Sequence, residues 1–178
     1  KCEYPLNVYA FSKYQFDRYL NQHFADIESQ VVGLRYFNVY GPQENHKGKM
    51  ASVAFHMFNQ IKNNEPMKLF EGSENFRRDF IYVDDVVSVN MFFYDNPDKS
   101  GIFNCGTGHA ESFCEIANAL KEKYINAKVE YIPFPDSLKG KYQTFTESNI
   151  TKLRNAGYDK PFTSLKSGTL KYAEILEK

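Results

Sequence analysis

The amino-acid sequence predicts an α/β protein, and three observations carry this prediction. Short runs of β-branched and aromatic residues, which favour strands, alternate along the chain with segments whose apolar residues recur at helical spacing. Clusters rich in glycine, proline and asparagine separate these segments, as expected where strands and helices are joined by turns. The 178 residues are 42% hydrophobic and 16% aromatic, which is enough apolar side chain to build a core.

The first part of the chain contains two predicted helices and two predicted strands. Aromatic and leucine residues at helical spacing predict a helix over residues 7–23, shortly after Pro5. The run at 31–40 predicts a buried strand that ends at a glycine–proline turn. Apolar residues at helical spacing over 50–61 predict the second helix. A short strand is predicted at 67–70.

The second part of the chain continues the alternation. The remaining predicted elements, in chain order, are a strand at 80–83, a helix from 84 to before Pro97, a strand at 102–105, a helix over 113–124, a strand at 129–132 and helices over 148–155 and 164–177. Asp84 is expected to cap the first of these helices, and Ser112 with Glu115 to form a capping box at the second. Gly157 is expected to close the short helix.

A glycine pair, Gly106-x-Gly108, follows the strand at 102–105 and precedes a helix, which is the position of a phosphate-binding turn. The pair lacks the third glycine and the acidic residue about 20 positions later that a dinucleotide fingerprint requires. We therefore interpret it as a tight turn with a structural role.

The composition excludes several classes of protein. Lys and Arg number 22, as do Asp and Glu, so the clustered positive charge of a nucleic-acid binder or a polybasic membrane anchor is missing. No apolar run approaches the roughly 18 residues of a membrane-spanning helix. The cysteines Cys2, Cys105 and Cys114 form neither a metal-binding pair nor an even disulfide set. Reduced thiols, a cytoplasmic location and no metal site are therefore expected.

Tyr9 and Lys13 form a Tyr-x-x-x-Lys pair in the first predicted helix. The i, i+4 spacing puts both side chains on one helix face. A neighbouring ammonium group favours the phenolate, which lowers the pKa of a tyrosine towards a value useful for proton transfer. In a chain with 13 tyrosines the same spacing also arises by chance, as an exposed tyrosine beside a solvated lysine. The pair alone leaves both interpretations open.

The Tyr-x-x-x-Lys pair is the first of four motifs in a fixed order. The others are RYFNVYGP at 35–42, RRDFIYVDDV at 77–86 and FNCGTG at 103–108. This ordered set resembles the C-terminal half of the extended short-chain dehydrogenases/reductases, which act mostly on nucleotide sugars. The resemblance implies the C-terminal part of an NAD(P)-binding Rossmann-type domain together with a smaller substrate-binding domain.

The segments between these motifs are more specific. They are HKGKMASVAFH at 46–56, KLFEGSENF at 68–76, YIPFPD at 131–136, KGKYQ at 139–143 and AGYDKPF at 156–162. Together they resemble the family of ADP-L-glycero-D-manno-heptose 6-epimerases over essentially the whole chain. The resemblance implies interconversion of two ADP-heptoses, a step towards the lipopolysaccharide inner core, by transient oxidation at C-6 with bound NADP, or alternatively NAD.

The same resemblance implies roles for individual residues. Tyr9 and Lys47 match the two acid/base residues of the family, and Lys13, Val39 and Lys47 match its contacts to the cofactor. The matches to sugar-nucleotide contacts are Asn38, Lys49, His56, Phe70, Glu71, Gly72, Ser73, Arg78 and Tyr142.

Several of these positions have competing explanations in the residues themselves. Lys47 lies in a polar turn and is more simply explained as a solvated loop lysine, because a lysine base needs burial or a neighbouring cation. His56 is explained equally well as a hydrogen-bonded structural histidine. Arg78 carries a fork of donors suited to a diphosphate. Lys49 replaces the small hydroxyl residue usual in the family, and Gln43 replaces the usual arginine.

The resemblance also predicts how the chain is divided. Residues 1–45 are expected to form the tail of the NADP-binding domain and 46–178 mostly the substrate-binding domain, with 79–97 returning to the first. No glycine-rich strand-to-helix turn precedes Tyr9, although the pyrophosphate of the cofactor requires one. We therefore expect these 178 residues to be the C-terminal portion of a longer enzyme and to be inactive alone. Separately, the intact enzyme is expected to be a homo-oligomer.

Two other functions are compatible with these residues. The first is another nucleotide-sugar epimerase or dehydratase of the same superfamily, which would not be expected to carry the segments at 46–56 and 68–76. The second is a non-catalytic module that binds a sugar nucleotide or a protein partner and uses Tyr9 and Lys13 only structurally.

Overall fold

The computed structural model of the chain describes residues 4–5, 7–136 and 142–178. Its helices are α1 (Val8–His23), α2 (Val53–Lys62), α3 (Val83–Tyr94), α4 (Phe113–Lys123), α5 (Thr151–Asn155) and α6 (Leu165–Leu176). Its strands are β1 (Val32–Tyr36), β2 (Asn38–Tyr40), β3 (Met67–Phe70), β4 (Arg77–Tyr82), β5 (Gly101–Cys105), β6 (Ala110–Ser112), β7 (Val129–Ile132) and β8 (Phe145–Thr146). This alternation confirms the α/β class. No helix in these ranges is long and apolar enough to cross a membrane.

Parallel pairing dominates three small sheets. β1 pairs with β5, from Val32 beside Gly101 to Tyr36 beside Cys105. β2 pairs in parallel with β4, and β3 with β7. β4 also carries β8 in parallel and β6 in antiparallel orientation. β4 therefore has the most strand neighbours of any strand in the described ranges.

Two groups of buried side chains hold these layers together by removing apolar surface from water. The first group lies among α2, α4, α6 and β3, and its most buried members include Met57, Met67, Ile116, Ala117, Leu120, Tyr172 and Ala173. The second lies among β5, α3 and α5, and consists of Ile81, Val89, Phe93, Phe103, Cys105, Leu153 and Tyr158. The predicted apolar stripe of α2 faces the first group.

The predicted strand at 31–40 is in fact two strands, β1 and β2, which separate at Phe37. The Phe37 N–H still donates to the carbonyl of Cys105 at 3.1 Å, continuing the pairing of β1 with β5. From Asn38 onwards the chain pairs instead with β4, beginning opposite Phe80. A continuous run of strand-forming residues cannot reveal this change of partner, because both strands use the same residue types.

Two helices start at a different residue than predicted, and a third, α4, starts at Phe113 as predicted but is capped differently. Helix α2 begins at Val53, because the Ser52 side chain accepts the N–H of Phe55 at 3.3 Å, and Met50 is 85% exposed rather than part of the apolar stripe. Asp84 lies in the first turn of α3 and does not occupy its cap position. Within the described residues the Ser112 side chain makes no capping hydrogen bond, so the predicted capping box is absent.

The C-terminal third contains further differences. Helix α5 begins at Thr151 rather than 148, because Ser148 donates its N–H and its hydroxyl to Asp79. Gly157, with a φ of 101°, follows α5 as predicted. β6 and β8 were not predicted, since two or three residues are too few for a periodic pattern. The predictions for Cys2 and for 139–141 fall outside the described residues, whereas Cys105 and Cys114 are free thiols as predicted.

Candidate active site

Tyr9 and Lys13 lie side by side on an open face of α1. The Asn7 side chain caps this helix by accepting the Ala10 N–H at 2.8 Å, which sets where the helical spacing begins. The Lys13 Nζ lies 5.3 Å from the centroid of the Tyr9 ring. Tyr9 is 73% exposed, so the pair is accessible to a ligand. The geometry that the spacing predicts is therefore present.

A first cavity, of about 230 Å³, lies at the carboxyl end of β2. Three of the predicted site residues, Asn38, Val39 and Lys47, line it together with Glu44 and Ser52. The turn after β2 is built on a glycine for steric reasons: Gly41 has a φ of 141°, and a Cβ there would lie 2.5 Å from the Val83 side chain. After this turn the chain returns to the cavity, which Lys47 lines together with the residues of β2.

Glu44 is a functional candidate that sequence reasoning missed. Glu44 is 3% exposed, and its carboxylate accepts hydrogen bonds from the Lys47 Nζ (3.2 Å), the Ser52 N–H (3.1 Å), the Ser52 hydroxyl (2.6 Å) and the Tyr172 hydroxyl (3.2 Å). Burial, together with the adjacent Glu44 carboxylate, raises the pKa of Tyr172, which keeps that phenol a donor. A glutamate in a polar turn is normally solvated, so the neighbouring residues give no sign that Glu44 is buried.

A second cavity, of about 270 Å³, is lined mostly by aromatic and aliphatic side chains. Four of the predicted sugar-nucleotide residues, His56, Phe70, Ser73 and Tyr142, form part of its wall. Val53 and Phe113 line both this cavity and the first one, so the two cavities share a wall. The rings around the second cavity contact one another edge to face; the pairs are Phe70–Phe134, Phe76–Phe134 and Phe134–Tyr142.

Arg78 is buried beside the second cavity and does not line it. Its guanidinium donates to the carbonyls of Arg77, at 3.0 Å, and of Gln143. It also lies over the rings of Tyr142, at 4.9 Å, and Phe113, at 6.0 Å. Burial lowers the pKa of the Arg78 guanidinium and raises the pKa of the Tyr142 phenol. The predicted diphosphate donor thus holds the protein backbone in this structure.

The remaining predicted site residues lie outside both cavities. Lys49 is exposed, as is Glu71, which begins the turn after β3. Gly72 adopts a left-handed φ of 79° in that turn, which agrees with a glycine there. Tyr9 and Lys13 also line neither cavity. The structure therefore assembles seven of the predicted residues at the two cavities and leaves the others at separate positions.

The Gly106-x-Gly108 turn is filled by protein groups, which confirms its structural interpretation. The N–H groups of Thr107 and Gly108 donate to the Asp79 carboxylate at 2.7 and 2.9 Å. A Cβ at Gly106 would lie 2.5 Å from the Ser148 hydroxyl, so only glycine fits. Because these donors already bind a carboxylate, the turn offers no cradle for a phosphate.

Comparison with known proteins identifies similar sequences and folds. Residues 1–106 match the family described as the NAD dependent epimerase/dehydratase family. The ADP-L-glycero-D-manno-heptose-6-epimerase of Brachyspira hyodysenteriae (strain ATCC 49526 / WA1) is 72% identical over 180 residues, covering 100% of this chain and 57% of that protein.

Two solved structures extend this comparison. The crystal structure of the Helicobacter pylori ADP-L-glycero-D-manno-heptose-6-epimerase matches with a TM-score of 0.86 at 36% identity, covering 99% of this chain and 53% of that one. The Thermotoga maritima UDP-glucose 4-epimerase with UDP-glucose matches with a TM-score of 0.78 at 28% identity, covering 95% and 53%. The chain spans little more than half the length of these relatives.

Proposed function

This chain belongs to the NAD dependent epimerase/dehydratase family, and on that premise we propose that it acts in an epimerase that interconverts ADP-D-glycero-D-manno-heptose and ADP-L-glycero-D-manno-heptose. The observation that supports this proposal best is the pair of adjoining cavities. One contains Lys47, a group able to transfer protons, and the other has the aromatic walls that favour a nucleotide base. The similarity to two heptose epimerases supports this substrate in particular.

The residues present fit one end of a nicotinamide cofactor. Tyr9 and Lys13 offer a phenol and an ammonium group, side by side and exposed, which suit the hydroxyls of a ribose. Val39, at the end of β2, borders the cavity that contains Lys47. When bound, NADP would supply the reversible oxidation of the C-6 alcohol. We propose NADP rather than NAD on the resemblance to the heptose epimerases.

The chain's own contribution is the transfer of protons at the C-6 oxygen. We propose that Tyr9 serves one face of the sugar carbon and Lys47 the other, as their match to the family's acid/base residues suggests. One group accepts the hydroxyl proton as the carbon is oxidised, and the other returns a proton to the same oxygen as the carbon is reduced from the opposite face. The number of protons on the substrate is unchanged, and only the configuration at C-6 is inverted.

The second cavity is proposed to hold the adenosine diphosphate. Its aromatic wall suits stacking with adenine, and Ser73 and His56 add polar groups to its lining. A guanidinium carries five N–H donors. Two of those of Arg78 donate to carbonyl groups, so the others remain for a phosphate. Its ring partners Tyr142 and Phe113 both line the cavity, so the Arg78 guanidinium lies directly behind that wall. The proposed roles of Asn38, Phe70, Lys49, Glu71 and Gly72 rest on the resemblance.

The test uses the full-length protein with ADP-D-glycero-D-manno-heptose as substrate and NMR of the sugar to follow epimerisation. Tyr9→Phe and Lys47→Met are each expected to lower kcat by about 10²- to 10⁴-fold, the usual contribution of an acid/base group. Lys62→Met, an exposed lysine at the end of α2, is the control and should retain activity. Turnover of UDP-glucose instead of the ADP-heptose would favour a 4-epimerase, and unimpaired Tyr9→Phe and Lys47→Met variants would exclude the mechanism.

The assembly and location of the intact enzyme follow the same resemblance. We propose a homo-oligomer that acts in the cytoplasm. Size-exclusion chromatography with light scattering on the full-length protein would test the first of these statements.

A further inference from the structure

We propose that Glu44 is a positioning residue, which holds the Lys47 ammonium group at the wall of the first cavity and connects it to helix α6. This inference rests on the proposed function, since it assigns the role of Glu44 through Lys47. It adds a residue that neither the motif pattern nor the resemblance singles out.

The two oxygens of Glu44 divide their hydrogen bonds between neighbouring elements. Oε1 accepts from the Lys47 Nζ at 3.2 Å and from the Ser52 N–H at 3.1 Å. Oε2 accepts from the Ser52 hydroxyl at 2.6 Å and from the Tyr172 hydroxyl at 3.2 Å. Ser52 is in turn the cap of α2, and Tyr172 lies within α6. One carboxylate therefore joins the Lys47 segment, the start of α2 and the last helix.

Burial of this carboxylate has a cost that a purely structural residue could avoid. Removing a charge from water is unfavourable unless hydrogen bonds replace its hydration, and an apolar residue would often serve stability equally well. Lys47 is the one cation among the four donors, and its side chain remains 40% exposed while that of Glu44 is 4% exposed. A pair with one half-exposed partner contributes little to stability. Its main effect is on the location of the ammonium group.

Orientation matters here because of where Lys47 lies in the chain. It belongs to the short segment Asn45–Met50 and is followed by Gly48, whose φ of 52° breaks the helical path. A lysine side chain has several rotatable bonds, so an unpaired ammonium group in such a segment would explore many positions. A displacement of about 1 Å at a reacting group can cost on the order of 100-fold in rate. Pairing with a fixed, buried carboxylate limits that displacement.

The test is a double-mutant cycle in the full-length protein, assayed with ADP-D-glycero-D-manno-heptose. Glu44→Gln keeps the size of the side chain and removes its charge. We expect it to lower kcat by about 10- to 100-fold, with KM changed by less than about threefold. In a Lys47→Met background the same substitution should have no further effect on kcat, since there is no ammonium group left to position. Equal losses of kcat in both backgrounds would overturn the proposal.

Two further variants keep the proposal falsifiable if Glu44→Gln folds poorly. Glu44→Asp retains the charge but withdraws it by one methylene, and it should also lower kcat while leaving KM within about threefold. Tyr172→Phe removes one hydrogen bond from the same carboxylate without touching the Lys47 pair. This variant should have a lower melting temperature than the wild type and a nearly unchanged kcat. A loss of kcat in Tyr172→Phe equal to that in Glu44→Asp would mean that Glu44 acts only through stability.

A measurement independent of turnover tests the contact itself. Limited acetylation with acetic anhydride, followed by mass spectrometry, compares Lys47 with Lys49, which is not among the donors to Glu44. The ratio of Lys47 to Lys49 acetylation should rise several-fold in Glu44→Gln, because the Lys47 amine is then no longer held by the Glu44 carboxylate. An unchanged ratio would overturn the positioning role even if the wild-type enzyme epimerises ADP-heptose. Failure of the wild type to do so would instead refute the proposed function.

Discussion

Arg78 is a buried cation that joins β4 to the segment beginning at residue 142. Its two carbonyl contacts belong to Arg77 and Gln143, and its guanidinium carbon lies 4.9 Å from the Tyr142 ring centroid. A lysine cannot reproduce this arrangement, because an ammonium group neither forks towards two carbonyls nor stacks on a ring in the same way. The residue proposed to bind a diphosphate therefore also supports the wall of the second cavity.

Replacement of Arg78 by Lys should lower the free energy of unfolding by about 1–3 kcal/mol, the usual cost of losing a hydrogen bond to a buried charged group. The measurement is urea denaturation of the full-length protein. Arg77→Lys is the matched control: Arg77 is the exposed neighbour, with one hydrogen bond of 3.4 Å to Ala110, so its effect should stay within about 0.5 kcal/mol. Equal effects of the two substitutions would contradict the role given to Arg78.

At the scale of elements, β4 is the strand on which the site depends most. It pairs with β2, β6 and β8, and through β2 it supports the first cavity. Its residue Asp79 is fully buried and accepts from the backbone N–H groups of Thr107, Gly108 and Ser148 at 2.7 to 3.0 Å. One carboxylate thus fastens β4 to the glycine turn after β5 and to the segment before α5.

Asp79→Asn should lower the free energy of unfolding by about 3 kcal/mol. The amide nitrogen of asparagine is itself a donor, so it cannot accept the hydrogen bonds from N–H groups that a carboxylate oxygen accepts now. Asp84→Asn is the control, because the Asp84–Lys171 pair is exposed on both sides, and such pairs contribute about 0–1 kcal/mol. Chemical denaturation of the two full-length variants distinguishes them. A stable Asp79→Asn protein would mean that these hydrogen bonds are replaced by water at little cost.

In the molecule as a whole, both cavities are bordered by members of the first buried group, among them Ile116 in the first cavity and Met57 in the second. Val53 and Phe113 form their common wall and also pack against that group. Tyr9 and Lys13 lie on α1, outside both cavities. The relatives are nearly twice as long as this chain, which covers 57% of one and 53% of two others.

The 178-residue chain by itself is expected to show no turnover of ADP-D-glycero-D-manno-heptose. The glycine-rich turn that binds the pyrophosphate of a dinucleotide is not among its residues, and the Gly106-x-Gly108 turn is filled by Asp79 and Ser148. The 178-residue chain and the full-length protein would be assayed at equal protein concentration with added NADP. Circular dichroism would establish that the short chain is folded. Turnover by the short chain within about tenfold of the full-length rate would show that these residues suffice.

Elements with a strong local pattern could be predicted from the amino-acid order alone. Helices α1 and α6 and strands β3 and β7 lie within a residue or two of their predicted bounds, because spacing and turn residues act locally. The Tyr9–Lys13 geometry follows from the same rule, since i, i+4 residues of a helix share a face. The division of 31–40 into β1 and β2 does not, because it depends on which distant strand each part pairs with.

Which polar residues are buried, and which groups they bind, depends on contacts between distant parts of the chain. Nothing in the local sequence marks Glu44, Arg78 and Asp79 as buried, yet each is less than 10% exposed and hydrogen-bonded to groups far along the chain. The partners lie 128, 65 and 69 residues away. Burial of a charge requires that its hydrogen bonds be supplied by whatever the fold brings close, and no local pattern records that.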